Sequence, residues 1–467
     1  MKMWSGRFRQ PLDPAFERWQ RSFEFDRRLL SHELASSGAH ARALKDASIL
    51  SPAELIAILQ GLQQIAEMAL QEPAFLDDGE AEDIHHFVEK QLVALIGDTG
   101  YKLHSGRSRN EQIATDLRLY VRAAIDQLAS DLTGLVEVLL DRAEQSGEAA
   151  MPAYTHLQRA EPVLVAHWLL AYVEMFLRDA GRLSDCQKRL NRCPLGSGAI
   201  AGATLPLDRR AMSASLGFSG PTANSIDATS DRDFALEFVN ALSLLALHLS
   251  RWAEEMLLFS TEEYNFIHLP EAYSTGSSAM PQKMNADLLE LTRAKAARVI
   301  GHATALQITL KGLPLAYNKD LQETQEPLFQ AAESMISLLP LVQGWMKAVE
   351  FNHARMQAAA QTGFMNAWAA ATYLVRRGVP FRLAHEQVGK AVQLCLEKHC
   401  QLADLSIEEL QKLNPALAED FYACLTLPAV LAIHDVPGGT APSRVRQAIS
   451  DAKQKLESIR GGIHAHA

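Results

Sequence analysis

The feature that most constrains the fold of this chain is a set of long apolar ladders with helical spacing. Apolar residues recur every three or four positions between Ile113 and Gln145, and again between Phe234 and Met256. The first ladder predicts a helix roughly 50 Å long, at about 1.5 Å per residue. Further long helices are predicted at about 160–190, 288–311 and 327–350.

Helices of this length, predicted without internal proline, are typical of a bundle, and their broad apolar faces indicate burial between subunits. Strand signals are few, so the predicted fold class is all-α. We expect an N-terminal helical domain at 1–108, a central long-helix bundle at 109–358 and a C-terminal helical domain at 359–467. In the flanking domains, Ser51 and Ser406 each begin a capping pattern that predicts a helix start.

The charge balance limits the classes of partner. The 467 residues include 45 basic and 55 acidic side chains, a formal net charge of −10. This balance argues against nonspecific binding to nucleic acid or to a membrane surface, because both need a basic field. An anionic small-molecule substrate stays compatible with it, since arginine and lysine can cluster locally on an acidic protein.

Cysteine usage and hydropathy indicate a cytoplasmic protein. The five cysteines are an odd number without a C-x-x-C pair, which suits reduced thiols better than disulfides or a zinc site. The N-terminal residues lead into no apolar run, so we expect no secretory signal. The best membrane candidate, Pro162–Leu177, contains His167 and Glu174 and is shorter than the about 20 apolar residues that a span requires.

Three polar stretches lie between the predicted helices. The first, His104–Asn110, precedes the first long helix and holds two arginines, two hydroxyls and an amide. Backbone N–H groups and the helix dipole favour an anion at such a place, so the stretch is a candidate carboxylate or phosphate site. A solvated loop with Ser108 as the helix cap is the alternative, and spacing alone favours it.

The second stretch, Tyr154–Pro162, places His156 beside a hydroxyl in a predicted loop before a helix. Histidine suits general acid or base catalysis because it titrates near neutrality, although a lone histidine is more often structural. The third stretch, Ser274–Asn285, brings small and hydroxyl residues, Lys283 and an amide to a helix predicted to begin near Asp287. That combination is typical of a lid that closes over an anion, and the alternative is a flexible linker.

The third stretch resembles the lid motif of the fumarase/aspartase superfamily, G-S-S-x-M-P-x-K-x-N, which is Gly276–Asn285 in this chain. Within that superfamily the chain resembles the argininosuccinate lyase family and its crystallin relatives. The likeness covers almost the whole chain, through W-S-G-R-F at 4–8, E-D-I-H at 82–85, G-R-S-R-N at 106–110, Y-T-H-L-Q-R at 154–159, P-L-G-S-G-A at 194–199, D-A-T-S at 227–230, Y-N-K-D-L-Q-E at 317–323 and G-G-T-A-P-S at 438–443.

The resemblance implies a mostly helical three-domain subunit and a homotetramer whose long helices form a shared central bundle. Each active site would draw on more than one subunit. The implied reaction is the reversible elimination of argininosuccinate to L-arginine and fumarate, the last step of arginine biosynthesis. It implies neither a metal nor an organic cofactor.

By the same resemblance, Ser277 on the lid is the base that abstracts a proton, and His156 is the acid that assists departure of the guanidino nitrogen. Glu290 would hold His156. The acid and base assignments of Ser277 and His156 can also be exchanged. Charge would develop on a substrate carboxylate as an aci-carboxylate, which Lys283 and Asn285 can stabilise.

The other expected site residues bind substrate. Ser108 and Arg109 would assist at the aci-carboxylate, and Thr155 would lie nearer the succinyl half. The resemblance assigns the arginine half to Ser22, Asn110, Tyr317 and Gln322, with Asp83 as a candidate for its α-amino group.

Four positions depart from the family pattern. Gln325 stands where a lysine usually helps to hold the arginine carboxylate. An amide can still donate a hydrogen bond but loses the charge-assisted part, a difference of order 1 kcal/mol. The other departures are Met284 for lysine, Ala286 for proline and Ser5 for glycine. They leave the proton-transfer residues in place but put substrate affinity in question.

Two alternatives stay open at the level of sequence. The chain could be another lyase of the superfamily, acting on adenylosuccinate or aspartate. It could also be a structural relative of the crystallin kind, although the joint presence of Ser277, His156, Lys283 and Glu290 disfavours that interpretation.

Overall fold

The computed structural model of this chain describes residues 10–464. The W-S-G-R-F string at 4–8, including Ser5, lies outside the described residues. Helices hold 69% of the chain and strands 5%, which confirms the all-α fold class.

The long helices follow from the apolar ladders. Leu128 in the first ladder and Trp252 in the second are fully buried, as are most of the other ladder residues. Burial of one continuous apolar face stabilises each helix far more than intrinsic propensity does. The long helices are Arg109–Ser146, Val165–Leu190, Asp233–Ser260, Asp287–Leu310 and Gln325–Ala348.

The helix Gln325–Ala348 contradicts the prediction of proline-free long helices, because Pro340 lies inside it. Proline lacks the N–H that would bond to the carbonyl of Ile336. The adjacent Leu339 and Val342 are fully buried, and this burial offsets the lost hydrogen bond.

Short helices make up the described chain before Arg109. One begins with the predicted capping box: Ser51 Oγ accepts the N–H of Glu54 at 3.3 Å, and a Glu54 carboxylate oxygen accepts the Ser51 N–H at 2.8 Å. The α-helices are Pro14–Trp19, Phe23–Asp26, Leu30–Asp46, Pro52–Gln71 and Ile84–Ile96, and the 3-10 helices are Arg27–Leu29, Pro73–Leu76 and Gly97–His104.

A second set of helices, short except for the 23-residue helix Pro442–His464, follows the helix Gln325–Ala348. Leu374, Cys395 and Phe421 belong to its buried core, and Ser406 begins one helix with the predicted capping box. The α-helices are His353–Ala360, Ala367–Arg376, Phe381–Lys398, Ile407–Leu413, Phe421–Cys424, Leu427–Ala432 and Pro442–His464. The remaining short elements are the α-helices Arg209–Ser215 and Ser225–Ser230 and the 3-10 helices Glu271–Tyr273, Lys319–Thr324 and Leu402–Asp404.

The prediction of a loop at Tyr154–Pro162 is wrong, because this stretch belongs to an antiparallel hairpin of Ala150–Thr155 and Gln158–Leu164. Pro152 pairs with Pro162, and prolines are depleted in strands, so they hide the strand signal. The helix expected from about 160 begins only at Val165. Two shorter pairings join Ile267–His268 to Glu350–Phe351 and Thr275–Gly276 to Met284–Asn285.

The chain divides into two compact units. The first unit comprises the described part of Met1–Ala129 with Arg182–Ala246 and Ala296–Ser337, and the second comprises Ser130–Gly181, Leu247–Lys295 and the described part of Leu338–Ala467. The boundaries fall within long helices, where composition gives no signal. The three-domain division at 108 and 358 stays a prediction.

One helix in the described chain, Asp233–Ser260, is long and apolar enough to cross a membrane by length and composition. Its residues Phe238, Leu242 and Leu249 are fully buried in the protein, as in core helices generally. The earlier candidate, Pro162–Leu177, begins in a strand and so does not form one continuous helix.

Candidate active site

Polar residues from distant stretches of the chain line a cavity of about 140 Å³ in the first unit. Seven of them are expected substrate-binding residues, namely Ser22, Asp83, Arg109, Asn110, Tyr317, Gln322 and Gln325. The other lining residues are Asp26, Glu82, His85, Ile113 and Lys319. The structure therefore brings together most of the residues assigned to the arginine half.

Ser22 is held in the cavity by a buried carboxyl group. Its Oγ donates to Asp26 Oδ2 at 2.6 Å, and Asp26 Oδ1 accepts the backbone N–H of Ile84 at 3.0 Å. Burial and the nearby Asp83 carboxylate raise the pKa of Asp26 to about 7. Asp26 therefore links Ser22 to the start of the helix that follows Asp83.

An ion-pair cluster joins the start of the first long helix to the E-D-I-H string. Arg109 Nη1 donates to Asp83 Oδ2 at 2.8 Å and lies 3.3 Å from a Glu82 carboxylate oxygen. Asp83 also accepts the N–H of His86 at 2.7 Å and so caps its own helix. Lys319 Nζ lies 3.9 Å from Glu82. Both cations of this cluster thus have carboxylate partners.

The amides of the cavity are held in different ways. Asn110 donates from Nδ2 to the carbonyl of Ala199 at 3.3 Å, and Gln322 donates from Nε2 to the carbonyl of Gln20 at 3.2 Å. Gln325 is 4% exposed, and its Oε1 has no hydrogen-bond partner among the described residues. Gln325 is therefore the amide with an unused acceptor.

Ser108 and Tyr317 complete the expected residues of this unit. Ser108 Oγ accepts the N–H of Asn110 at 3.3 Å, and the Ser108 N–H donates to Glu111 Oε1 at 3.0 Å. This is the capping geometry that the alternative interpretation of the first polar stretch predicts, and Ser108 is not among the lining residues. Burial raises the pKa of Tyr317, which lines the cavity as a neutral phenol.

The lining residue His85 belongs to a buried charge network. His85 Nδ1 lies 2.7 Å from Glu33 Oε2, and Glu33 Oε1 accepts hydrogen bonds from Ser37 Oγ at 2.7 Å and from Gln112 Nε2 at 3.2 Å. Arg107 lies 4.0 Å from Glu33 and donates to Ser37 at 2.9 Å. The network therefore fixes the orientation of the imidazole ring through its Nδ1 atom.

The charges of this network compensate one another. Burial would raise the pKa of Glu33, but His85 and Arg107 hold it well below its usual range. Burial would lower the pKa of His85, but the Glu33 carboxylate raises it. Burial and Glu33 raise the pKa of Asp116, whose Oδ1 accepts a hydrogen bond from Ser36 Oγ at 2.8 Å. The result is a carboxylate between two basic side chains, beside a carboxyl group whose pKa is raised.

Glu33, His85 and Asp116 are also the group that could hold a metal ion within the described chain, with ligand atoms within 4.8 Å of one another. A metal would need a neutral imidazole and ionised carboxylates. The directions of the pKa shifts favour the opposite states for His85 and Asp116. The residues therefore fit a hydrogen-bonded ion-pair network better than a metal centre.

In the second unit, the hairpin tip exposes Thr155 and His156. Thr155 pairs with Gln158, so His156 and Leu157 form a two-residue turn, and their φ angles of 55° and 57° are both left-handed. Such turns favour asparagine and glycine, and a leucine in this conformation is strained. The turn therefore presents His156 to solvent at the expense of local strain.

The lid of the second unit is a small hairpin in which Thr275–Gly276 pairs with Met284–Asn285. Ser277 Oγ accepts the backbone N–H groups of Ala279 at 3.2 Å and of Met280 at 3.1 Å. Two N–H donors at one hydroxyl oxygen favour negative charge on that oxygen. This arrangement suits a serine that acts as a base.

The other expected residues of the second unit lie on and just after the lid. Asn285 donates from Nδ2 to Thr275 Oγ1 at 3.4 Å, and Lys283 is exposed. Glu290 is exposed near the start of the helix that follows. Within the described residues of one chain, no hydrogen bond joins Glu290 to His156. The support of His156 by Glu290 stays a prediction.

Several residues that line or support the cavity were not among the predicted site residues. Asp26 could have been found from its position four residues after Ser22, a spacing that brings side chains together on a helix. His85 lies in the E-D-I-H string but received no role. No local sequence pattern marks Glu33 as part of the site, since its contact with His85 joins positions 52 residues apart.

Comparison with known proteins identifies the family of this chain. Residues 6–301 match the family described as Lyase, and residues 364–432 match the family described as Argininosuccinate lyase C-terminal. The argininosuccinate lyase of Koribacter versatilis is 59% identical over the whole of both chains, and that of Acidobacterium capsulatum is 60% identical over 99% of this chain and 97% of its own. An EDDS lyase variant with bound fumarate matches with a TM-score of 0.84 at 26% identity, over 98% of this chain and 93% of its own. The chain therefore belongs to the argininosuccinate lyase family.

Proposed function

We propose that this protein catalyses the reversible elimination of argininosuccinate to L-arginine and fumarate, a carbon–nitrogen lyase reaction that serves arginine biosynthesis. The observation that carries the proposal is the cavity of the first unit, where seven expected substrate-binding residues meet. The full-length identity with argininosuccinate lyases supports the same reaction.

The cavity suits the α-amino acid end of the arginine half. An ammonium group needs acceptors, which Asp83 and Ser22 provide, and a carboxylate needs donors. Asn110, Gln322 and Tyr317 add neutral polar groups that can fix the orientation of the ligand. Binding energy at this end would position the reacting carbons without taking part in the chemistry.

In the reaction, a base removes a proton from the carbon beside one carboxylate, and the electron pair moves into that carboxylate. The pair then forms the carbon–carbon double bond of fumarate as the carbon–nitrogen bond breaks, and an acid protonates the leaving nitrogen. Ser277 is the proposed base, supported by the two N–H groups at its Oγ. Lid closure would remove water from this oxygen and raise its reactivity.

His156 is the proposed acid, with Glu290 as its support, although the roles of His156 and Ser277 can be exchanged. Lys283 and Asn285 would stabilise the aci-carboxylate, since a cation and an amide N–H are suited to the charge that develops there. Arg109 and Thr155 would assist. These side chains provide proton transfer and charge stabilisation together, so we propose that the reaction uses no metal or organic cofactor.

The proposed assembly is a homotetramer in which each active site uses more than one subunit. The helix Asp287–Leu310 exposes Leu291, Ile300 and Ile308, each at least 42% accessible. Large exposed apolar side chains on a long helix favour contact with further copies. Light scattering after size exclusion tests this assembly, and a monomer at working concentrations would contradict it.

We also propose a cytoplasmic location. All five cysteines lie in the described chain and are free, and none pairs in a disulfide. Reduced thiols are typical of the cytosol.

The proposed function is tested by incubating the purified protein with argininosuccinate and following fumarate by its absorbance. We expect fumarate and arginine in equal amounts. Turnover of adenylosuccinate or aspartate instead would assign the chain to another reaction of the superfamily. Absence of turnover with any succinyl amine would favour a structural relative.

A further inference from the structure

The cavity of the first unit has a glutamine at 325, where the family usually has a lysine that holds the arginine carboxylate. An amide can donate a hydrogen bond but carries no charge, so a second, charged donor in the cavity would compensate for the missing lysine. The structure offers a specific candidate within the same cavity.

The two strongly basic lining residues are already engaged. Arg109 contacts Asp83 at 2.8 Å and Glu82 at 3.3 Å, and Lys319 lies 3.9 Å from Glu82. Charge-assisted pairs of this kind compete with a ligand for the same N–H groups. Both side chains therefore have less to offer an incoming carboxylate.

His85 differs from them in having one committed nitrogen and one unused nitrogen. Its Nδ1 lies 2.7 Å from Glu33 Oε2, which fixes the ring and favours the cationic form. Its Nε2 is buried and has no hydrogen-bond partner among the described residues. The side chain is 6% exposed and lines the cavity.

Gln325 has an unused hydrogen-bond acceptor, where His85 has an unused donor. Its Oε1 is also buried and without a partner in the described chain, and Gln325 lines the same cavity. Buried polar atoms are nearly always hydrogen-bonded, so an unused donor on His85 and an unused acceptor on Gln325, two residues that line a single cavity, indicate a ligand that supplies the opposite of each. The α-carboxylate and α-ammonium groups of an amino acid do so.

We propose that His85 Nε2 donates a hydrogen bond to the α-carboxylate of the arginine half, in place of the usual lysine, and that Gln325 Oε1 accepts one from its α-ammonium group. This assignment rests on the proposed function. It makes His85 a residue that determines the specificity for α-amino acids, with Glu33 positioning its ring.

The test compares the binding of L-arginine with that of L-argininamide, which lacks the carboxylate charge, by isothermal titration calorimetry. In His85→Asn, the new amide can still donate to Glu33 but has no group at the position of Nε2. We expect arginine to bind roughly 10- to 100-fold more weakly to this variant, as for a lost charged hydrogen bond, while argininamide changes by less than about threefold. His40→Asn is the matched control, because His40 is also buried in the same unit but is not among the residues that line the cavity.

A second-site variant keeps the proposal testable if His85→Asn does not fold. Gln325→Lys in the native background should tighten arginine binding by less than about threefold, because His85 already holds the carboxylate. In His85→Asn with Gln325→Lys, the new lysine should restore most of the lost affinity for arginine.

Unchanged preference for arginine over argininamide in folded His85→Asn would overturn the assignment, even while the native protein releases fumarate. A tenfold or larger gain in arginine affinity from Gln325→Lys alone would also overturn it. If the native protein neither binds arginine nor releases fumarate from argininosuccinate, the proposed function fails, and the assignment fails with it.

Discussion

The two regions that carry the expected site residues are built differently. In the cavity of the first unit, Ser22, Gln322 and Gln325 are at most 8% exposed, and the charged lining residues have partners within the unit. In the second unit, His156 and Lys283 are exposed on a turn and a lid. The contacts of the proposed binding region are in place within one chain, whereas the proposed proton-transfer residues are exposed and would gain their environment when the lid closes.

This difference predicts two classes of variant. Substitutions in the cavity should change stability and ligand affinity together, because the same buried contacts serve both. Substitutions on the lid and hairpin should change turnover with little effect on stability.

The largest expected effect is on the lid. Ser277→Ala should reduce kcat by about 1000-fold, since removal of a general base typically has an effect of that order. The melting temperature should change by less than about 1 °C, because the side-chain hydrogen bonds of Ser277 in the described chain stay within its own exposed loop. Ser278→Ala, on the same exposed loop, is the control and should retain activity. Full activity of Ser277→Ala would remove this serine from the mechanism.

The next largest effect is expected on stability, in the buried charge network around Glu33. Glu33→Gln leaves His85 and Arg107 without their shared anion, which should lower the free energy of unfolding by about 4 kcal/mol. Chemical denaturation measures this loss. Asp77→Asn, which breaks an exposed pair with Arg27, should lower it by less than about 1 kcal/mol. Equal losses in the two variants would contradict the contrast between buried and exposed charge.

The buried carboxyl group of Asp26 makes the stability of the folded chain depend on pH. Its pKa is about 7 in the folded chain and 3.8 when unperturbed, so stability falls as pH rises between these values, because the unfolded chain releases a proton that the native chain retains. Asp26→Asn should therefore gain stability relative to the native protein by roughly 2 to 4 kcal/mol from pH 4 to pH 8. Chemical denaturation across this pH range measures how the free energy of unfolding changes with pH. Parallel curves of this free energy against pH for the two proteins would show that Asp26 is ionised throughout.

The smallest expected effect is at the hairpin tip. Leu157→Gly should raise stability by about 0.5 kcal/mol, because glycine adopts a positive φ without strain. Gln158→Gly, one position later in the strand, should lower stability by a similar amount. Differential scanning calorimetry separates the two. A loss of stability in Leu157→Gly would mean that the leucine side chain, although exposed, stabilises the turn.

Much of the fold could be predicted from the sequence because one physical cause dominates it. A periodic apolar face specifies a buried helix wherever it lies, and the capping boxes at Ser51 and Ser406 depend on neighbouring residues alone. The hairpin at Ala150–Leu164 could not be predicted, since its paired prolines remove the usual strand pattern. The position of Pro340 inside a long helix was not predicted for a related reason. Burial of its neighbours overrides the local preference of proline to end a helix.

The site divides in the same way. The lid string at Gly276–Asn285 is contiguous, so its residues and its turn could be read directly. The contact of His85 with Glu33 depends on how two separate helices pack, and neither residue carries a local pattern for it. Residues such as Gln325 could be named from the resemblance, but their unused hydrogen-bonding atoms appear only in the structure.

The central claim is that the cavity of the first unit and the open groups of the second serve one substrate. A crystal structure of Ser277→Ala with argininosuccinate tests it most directly. We predict the arginine half in the cavity between Ser22 and Gln325, with His156 and the lid of some subunit within hydrogen-bonding distance of the succinyl half. An arginine half bound elsewhere, or a succinyl half that no copy of His156 or the lid approaches, would contradict the account.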